Sequence, residues 1–130
     1  MKHILIFFFL TLTNGSLFAQ KTDMIIRISE IEIDLKYLEE YNSILKEEAE
    51  ASVRLEPGVI SIFPMYQKGN PNQIRILEIY ADKTVYESHL KTPHFLKYKT
   101  STLKMVKSLK LVDMKSINPE GMLAIFEKLK

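Results

Sequence analysis

Residues Val59–Ala81, VISIFPMYQKGNPNQIRILEIYA, read as two strands joined by a turn, and the rest of the fold is arranged around them. Branched and aromatic residues fill Val59–Tyr66 and Gln73–Ala81, while Gln67-Lys68-Gly69-Asn70-Pro71-Asn72 has turn chemistry at every position. The two strands are therefore expected to pair antiparallel. Along the second, Ile74, Ile76, Glu78 and Tyr80 share one parity and Arg75, Leu77 and Ile79 the other. Glu78 and Tyr80 thus leave on the same face.

Upstream, Leu38, Tyr41, Ile44, Leu45, Ala49, Ser52 and Val53 recur at steps of three and four, which predicts a long amphipathic helix over 35–55, stopped by Pro57-Gly58. Before it, Met24–Ile33 has extended character. Its apolar parity shifts from Ile26 and Ile28 to Ile31 and Ile33, which implies a bulge or burial on both faces. Downstream, Asp82 caps a helix that carries Val85, Tyr86, His89 and Leu90 on one side. Thr92-Pro93 breaks that helix and starts another, with Thr92 as N-cap and Pro93 at the first helical position. The broken helix runs to about Val106, and Ser108–Met114 supplies a last strand.

This order, βαββαβ, is the ferredoxin-like α+β arrangement, in which helices cover one face of an antiparallel sheet. The other face, rich in isoleucine, needs a partner, and a second copy supplies one. A homodimer is therefore expected. Beyond the domain at 24–118, the tail at 119–130 places Met122, Leu123, Ile125, Phe126 and Leu129 on a helical stripe.

A chain of 130 residues is one domain. Residues 1–19 read as a signal peptide: Lys2 and His3, then the apolar run Ile4–Leu12, then Ser16-Leu17-Phe18-Ala19 before Gln20. An exported protein, periplasmic or secreted, is expected, with no stable membrane insertion after cleavage. Loss of Lys2 leaves 17 basic against 16 acidic groups, with lysines scattered, so nucleic-acid binding is not expected. The absence of cysteine excludes disulfides, a thiolate nucleophile and cysteine-ligated metal centres.

Chemistry must then come from His, Glu, Tyr and Arg, since no phosphate loop or dinucleotide fingerprint is present. His89 and His94 flank the bend in the broken helix. Their spacing, with Pro93 between, is not that of a same-face helical metal pair, and no metal site is assigned, although Glu78 has the right chemistry for a third ligand. Histidine accepts or relays protons near neutral pH, which makes His89 and His94 candidate site residues and also ordinary hydrogen-bonded ones. Glu78 is suited to orient a histidine, to accept a substrate hydroxyl or to form an ion pair. Tyr80, Tyr86, Phe95 and Tyr98 suit a flat ring, and their spacings suit a core equally well. Arg54 and Glu56 are read as fixing the Pro57-Gly58 corner.

Three pieces of the chain carry a family likeness: Arg54-x-Glu56-Pro57-Gly58, Glu78-x-Tyr80, and His89-Leu90-x-Thr92-Pro93-His94-Phe95. Together they resemble the antibiotic biosynthesis monooxygenase (ABM) domain family, especially its quinol-monooxygenase-like members, over 24–118. The resemblance implies a dimeric α+β barrel and oxidation of a small aromatic or quinol-like substrate by dioxygen, without flavin, haem or metal. On that reading His89 is the base, Glu78 orients it, Tyr80 and His94 position the substrate oxygen, and Phe95 and Tyr98 pack on the ring. Tyr86 completes the lining. Two alternatives accompany it. One is an isomerase of small phosphorylated diketones, as found in the same family, with Arg54, Arg75 and nearby lysines on the phosphate. The other is a periplasmic module that binds a small ligand without turnover. Haem-degrading relatives depend on a tryptophan, which this chain lacks.

Overall fold

The computed structural model describes residues 23–130, and the signal-peptide reading of 1–19 lies outside the described residues. Strand β1 (Ile25–Ile33) leads through a 3-10 turn at Leu35–Tyr37 into helix α1 (Leu38–Leu55), followed by β2 (Val59–Gln67) and β3 (Asn70–Tyr80). Two short helices, α2 (Lys83–His89) and α3 (Pro93–Thr102), then lead through a second 3-10 turn (Leu103–Met105) to β4 (Val106–Met114). Helix α4 (Gly121–Lys128) lies in the tail. The strands lie in the order β2-β3-β1-β4, each neighbouring pair antiparallel. This is the ferredoxin-like α+β fold.

Local chemistry sets the joints. Asp82 accepts a hydrogen bond from the Val85 amide at 2.8 Å, and Thr92 one from the Phe95 amide at 3.3 Å, so both expected caps are in place. The β2–β3 hairpin is tighter than the six-residue turn expected from composition. Gln67 pairs with Asn70, and Gly69 takes a φ of 90°, which lets the chain reverse in two residues and extends β3 back to Asn70.

Ile31 and Ile33 of β1, Ile74, Ile76 and Tyr80 of β3, and Tyr41 and Leu45 of α1 form the core between helices and sheet. Ile26 and Ile28 point to the opposite face, so the parity shift in β1 reflects apolar groups on both sides of one strand; its register with β4 is broken only at Glu32/Ile33. The cross-strand pairs place Leu77, Phe63, Val112 and Met114 on that same open face. Phe63 and Met114 are exposed there.

The corner after α1 is pressed against α2. A Cβ on Gly58 would overlap the Val85 side chain, and the Gly58 carbonyl accepts the Ala81 amide at 2.8 Å. Only glycine lets β2 start this close under α2, and that approach brings Glu56 beneath the histidines.

Candidate functional site

The sheet floor is organised in rows. Asp113, Arg27, Glu78 and Ile62 align across β4, β1, β3 and β2, and the next row is Leu111, Ser29 and Ile76. Above these rows, α1, α2 and α3 leave a cavity of about 350 Å³. Its walls are apolar: Ile31, Ile62, Ile76, Leu90, Phe95, Leu109 and Leu111. Its polar lining comes from Arg27, Ser29, Glu48, Glu78, Tyr80, Tyr86, His89, Tyr98 and Lys99. That volume admits a single substituted ring.

His89 stands at the end of α2 and is 2% exposed. Its Nδ1 lies 2.8 Å from Oε2 of Glu56, and Nε2 of His94 lies 2.7 Å from the same oxygen. A neutral His89 that donates from Nδ1 to Glu56 has Nε2 as its acceptor nitrogen. Nε2 faces Glu48 Oε1 at 3.5 Å, and the carboxyl of Glu48 accepts the Ser52 hydroxyl at 2.8 Å. The imidazole is thus held between two glutamates, one outside the cavity lining and one within it.

Glu78, expected to orient His89, is occupied elsewhere. One of its oxygens accepts the Tyr80 hydroxyl at 2.7 Å, and the other accepts the Ser29 hydroxyl. The parity reading was right about the face it shares with Tyr80; the histidine partner is Glu56 instead. His94, in the first turn of α3, meets Glu56 and does not line the cavity. Arg54 is exposed on the outer side of α1, away from the cavity, so the expected substrate contact is absent. Tyr80, Tyr86, Phe95 and Tyr98 all line the cavity as expected.

Two acids escaped the sequence reading as site residues. Glu48 had a signal: it lies on the buried stripe Tyr41, Leu45, Glu48, Ser52 of α1, where a carboxylate is out of place. Glu56 has as its signal the Arg54-x-Glu56-Pro57-Gly58 corner motif, whose local chemistry points only to fixing the turn.

Burial raises the Glu48 carboxyl above its ordinary 4.5; the Ser52 hydroxyl and the imidazoles of His89 and His94 oppose that rise, and Glu78 adds to it. Desolvation likewise raises the Tyr41 and Tyr80 hydroxyls far above their usual range, and pushes Tyr98 up to about 12. These phenols therefore serve as neutral hydrogen-bonding groups. The raised Glu48 value has a consequence for stability. Above about pH 4.5, where the unfolded side chain ionises, the folded state holds its proton longer, so stability falls as pH rises. Glu48→Gln should leave the thermal midpoint unchanged below about pH 4.5 and raise it as pH climbs above that value. A midpoint difference that is constant with pH would contradict this.

Glu56, His89 and His94 offer one carboxylate and two imidazole ligand atoms, all within 4.8 Å of one another. This is a donor set suited to a divalent transition ion. The contacts of 2.7 and 2.8 Å are nevertheless hydrogen-bond lengths, shorter than the roughly 3.3 Å that separates two ligands each about 2 Å from a tetrahedral zinc. The cluster as it stands shares protons.

The family model for antibiotic biosynthesis monooxygenases matches residues 24–101. A solved structure from Bacteroides thetaiotaomicron, assigned to the same family, is 50% identical, with 76% of this chain and 94% of that one covered and a TM-score of 0.75. A Lactobacillus acidophilus structure assigned as a monooxygenase is 29% identical with a TM-score of 0.71; the match covers 72% of this chain and 45% of that longer one. A Nitrosomonas europaea structure, 19% identical with a TM-score of 0.70 over 75% of this chain and 94% of that one, shares the fold. No curated protein matches the chain. The match of the family model over residues 24–101, together with the 50% identity to the Bacteroides thetaiotaomicron structure, places this chain in the antibiotic biosynthesis monooxygenase family.

Proposed function

We propose that this protein is a cofactor-independent monooxygenase that oxidises a small quinol or related hydroxyarene with dioxygen. The observation that carries the reading is the His89 imidazole, buried at the cavity wall with Nδ1 at hydrogen-bond distance from Glu56, so that a neutral ring donating to Glu56 has Nε2 as its acceptor. Such a nitrogen can take a phenolic proton. The apolar walls limit the hydration of the resulting phenolate, which is then electron-rich enough to reduce dioxygen. The overall balance is hydroquinone plus dioxygen giving hydroxyquinone plus water: four electrons leave the ring and four enter oxygen. Glu48, whose carboxyl is shifted by burial toward its protonated form, lines the cavity as the group to return a proton to reduced oxygen. Phe95 and Tyr98 pack on the ring.

The open sheet face supports assembly as a homodimer. Ile26, Ile28, Phe63, Leu77, Val112 and Met114 form a contiguous apolar strip across all four strands, a surface that a second copy would cover. Sedimentation should return twice the monomer mass, and Phe63→Glu should shift it to monomer. A monomeric native protein would remove this part of the proposal. We place the protein outside the cytoplasm, on the leader-like start of the chain.

A substrate panel run with and without oxygen tests the reaction. Oxygen uptake stoichiometric with hydroxyquinone formation is expected. Interconversion of a phosphorylated diketone under anaerobic conditions, or binding without any turnover, would overturn it.

A further inference from the structure

The cavity lining holds two cations that the reaction above does not use, Arg27 and Lys99, and Arg27 is the buried one. Arg27 stands directly opposite Glu78 in the β1–β3 register, on the cavity face, an arrangement in which opposite charges normally meet. Here both are turned aside. The carboxylate of Glu78 is committed to the hydroxyls of Tyr80 and Ser29. Arg27 donates from Nε to Asp113 Oδ1 at 3.0 Å and from Nη1 to the Tyr86 hydroxyl at 2.8 Å, with its guanidinium 4.8 Å from the Tyr86 ring centre. Its remaining terminal nitrogen, Nη2, has no acceptor among the described residues. The Arg27 side chain is 15% exposed while Asp113 is 79% exposed, so the charge facing inward is desolvated and its counter-charge is screened by solvent. Lys99 adds a second positive charge to the lining.

We infer that the cavity selects a hydroxyarene bearing a carboxylate, with the carboxylate on Arg27 and the ring hydroxyl turned toward His89. A guanidinium with one uncommitted N–H edge, held rigid by Asp113 and Tyr86, is preorganised for a planar oxyanion. A cavity of about 350 Å³ sets the scale of that ligand at one ring with small substituents. The inference names the substrate class for the oxidation proposed above and rests on that reading for turnover, but not for binding.

The test separates the two. Calorimetric titration without oxygen compares 4-hydroxybenzoate with 4-hydroxybenzamide, a neutral isostere. The acid should bind about tenfold tighter, the order of one charge-assisted hydrogen bond. Arg27→Met should bring acid binding down to the amide's level, and Asp113→Asn, a change at the exposed partner, should tighten acid binding several-fold and leave the amide unaffected. Equal affinity of acid and amide for the native protein, or a preference that neither substitution moves, overturns the inference. Should Arg27→Met not fold, the native comparison and Asp113→Asn still decide it. Oxygen uptake is then measured with 2,5-dihydroxybenzoate and its amide. Equal rates and affinities for both sink the carboxylate inference while sparing the oxidation. Acid-selective binding with no uptake sinks the oxidation while sparing the inference.

Discussion

Alanine at His89 is expected to lower oxygen uptake with a hydroquinone by about 10²–10⁴-fold, the range for removal of a general base. The loss should fall on kcat more than on KM, because His89 is one wall group among many that line the cavity and its distinctive contribution is to the proton transfer. Supplying the phenolate directly, by raising pH, should restore part of the rate in His89→Ala and little in the native protein. Glu56→Gln gives a companion result. The amide can still hold one imidazole by hydrogen bonding, but it no longer fixes the proton on Nδ1 of His89 by charge, so an intermediate loss is expected. Undiminished uptake by His89→Ala would remove the imidazole from the mechanism altogether.

The second large effect concerns stability. Tyr41 of α1 is fully buried, and its hydroxyl shares a hydrogen bond of 2.7 Å with that of Tyr98, while the two rings pack edge-on at 6.1 Å. Replacing Tyr41 by Ala empties the centre of the layer between α1 and α3 and should cost about 3–5 kcal/mol, as for other buried aromatic truncations. Tyr41→Phe keeps the ring and removes only the shared hydrogen bond, which should cost about 1–2 kcal/mol. Urea unfolding of both variants checks the order and the gap. A Tyr41→Ala loss no larger than that of Tyr41→Phe would mean that the layer collapses onto the vacated space. Since Tyr98 also lines the cavity, Tyr41→Phe should additionally weaken substrate binding.

Most of the frame was legible because it is written locally. Asp82 and Thr92 mark their helix starts through side chains three residues from the amides they satisfy, Pro93 does so through its fixed φ, and the hairpin strands announce themselves by parity. The site was legible only in part. Tyr80, Phe95 and Tyr98 were found because aromatic residues near a helix break stand out. Glu56 was not assigned to His89 because the two are 33 residues apart and meet only when Gly58 lets β2 start under α2, a tertiary event with no local signature. Glu78 was given that role because it has the right chemistry nearby in sequence; Ser29, 49 residues away on the neighbouring strand, holds it instead. Arg54 illustrates the same limit in reverse, since a cation beside a functional corner proved to face solvent.

Because one oxygen of Glu56 grips an imidazole from each of two successive helices, the bent pair α2–α3 is pinned to the corner after α1 and has little freedom to lift as a flap. At the edge strand Leu109 and Leu111 line the hollow yet remain about half open to solvent, which offers small molecules a sideways path. The threshold of this chamber is greasy and lies at the margin of the sheet, so bulk at those two leucines would slow passage without touching the chemistry inside.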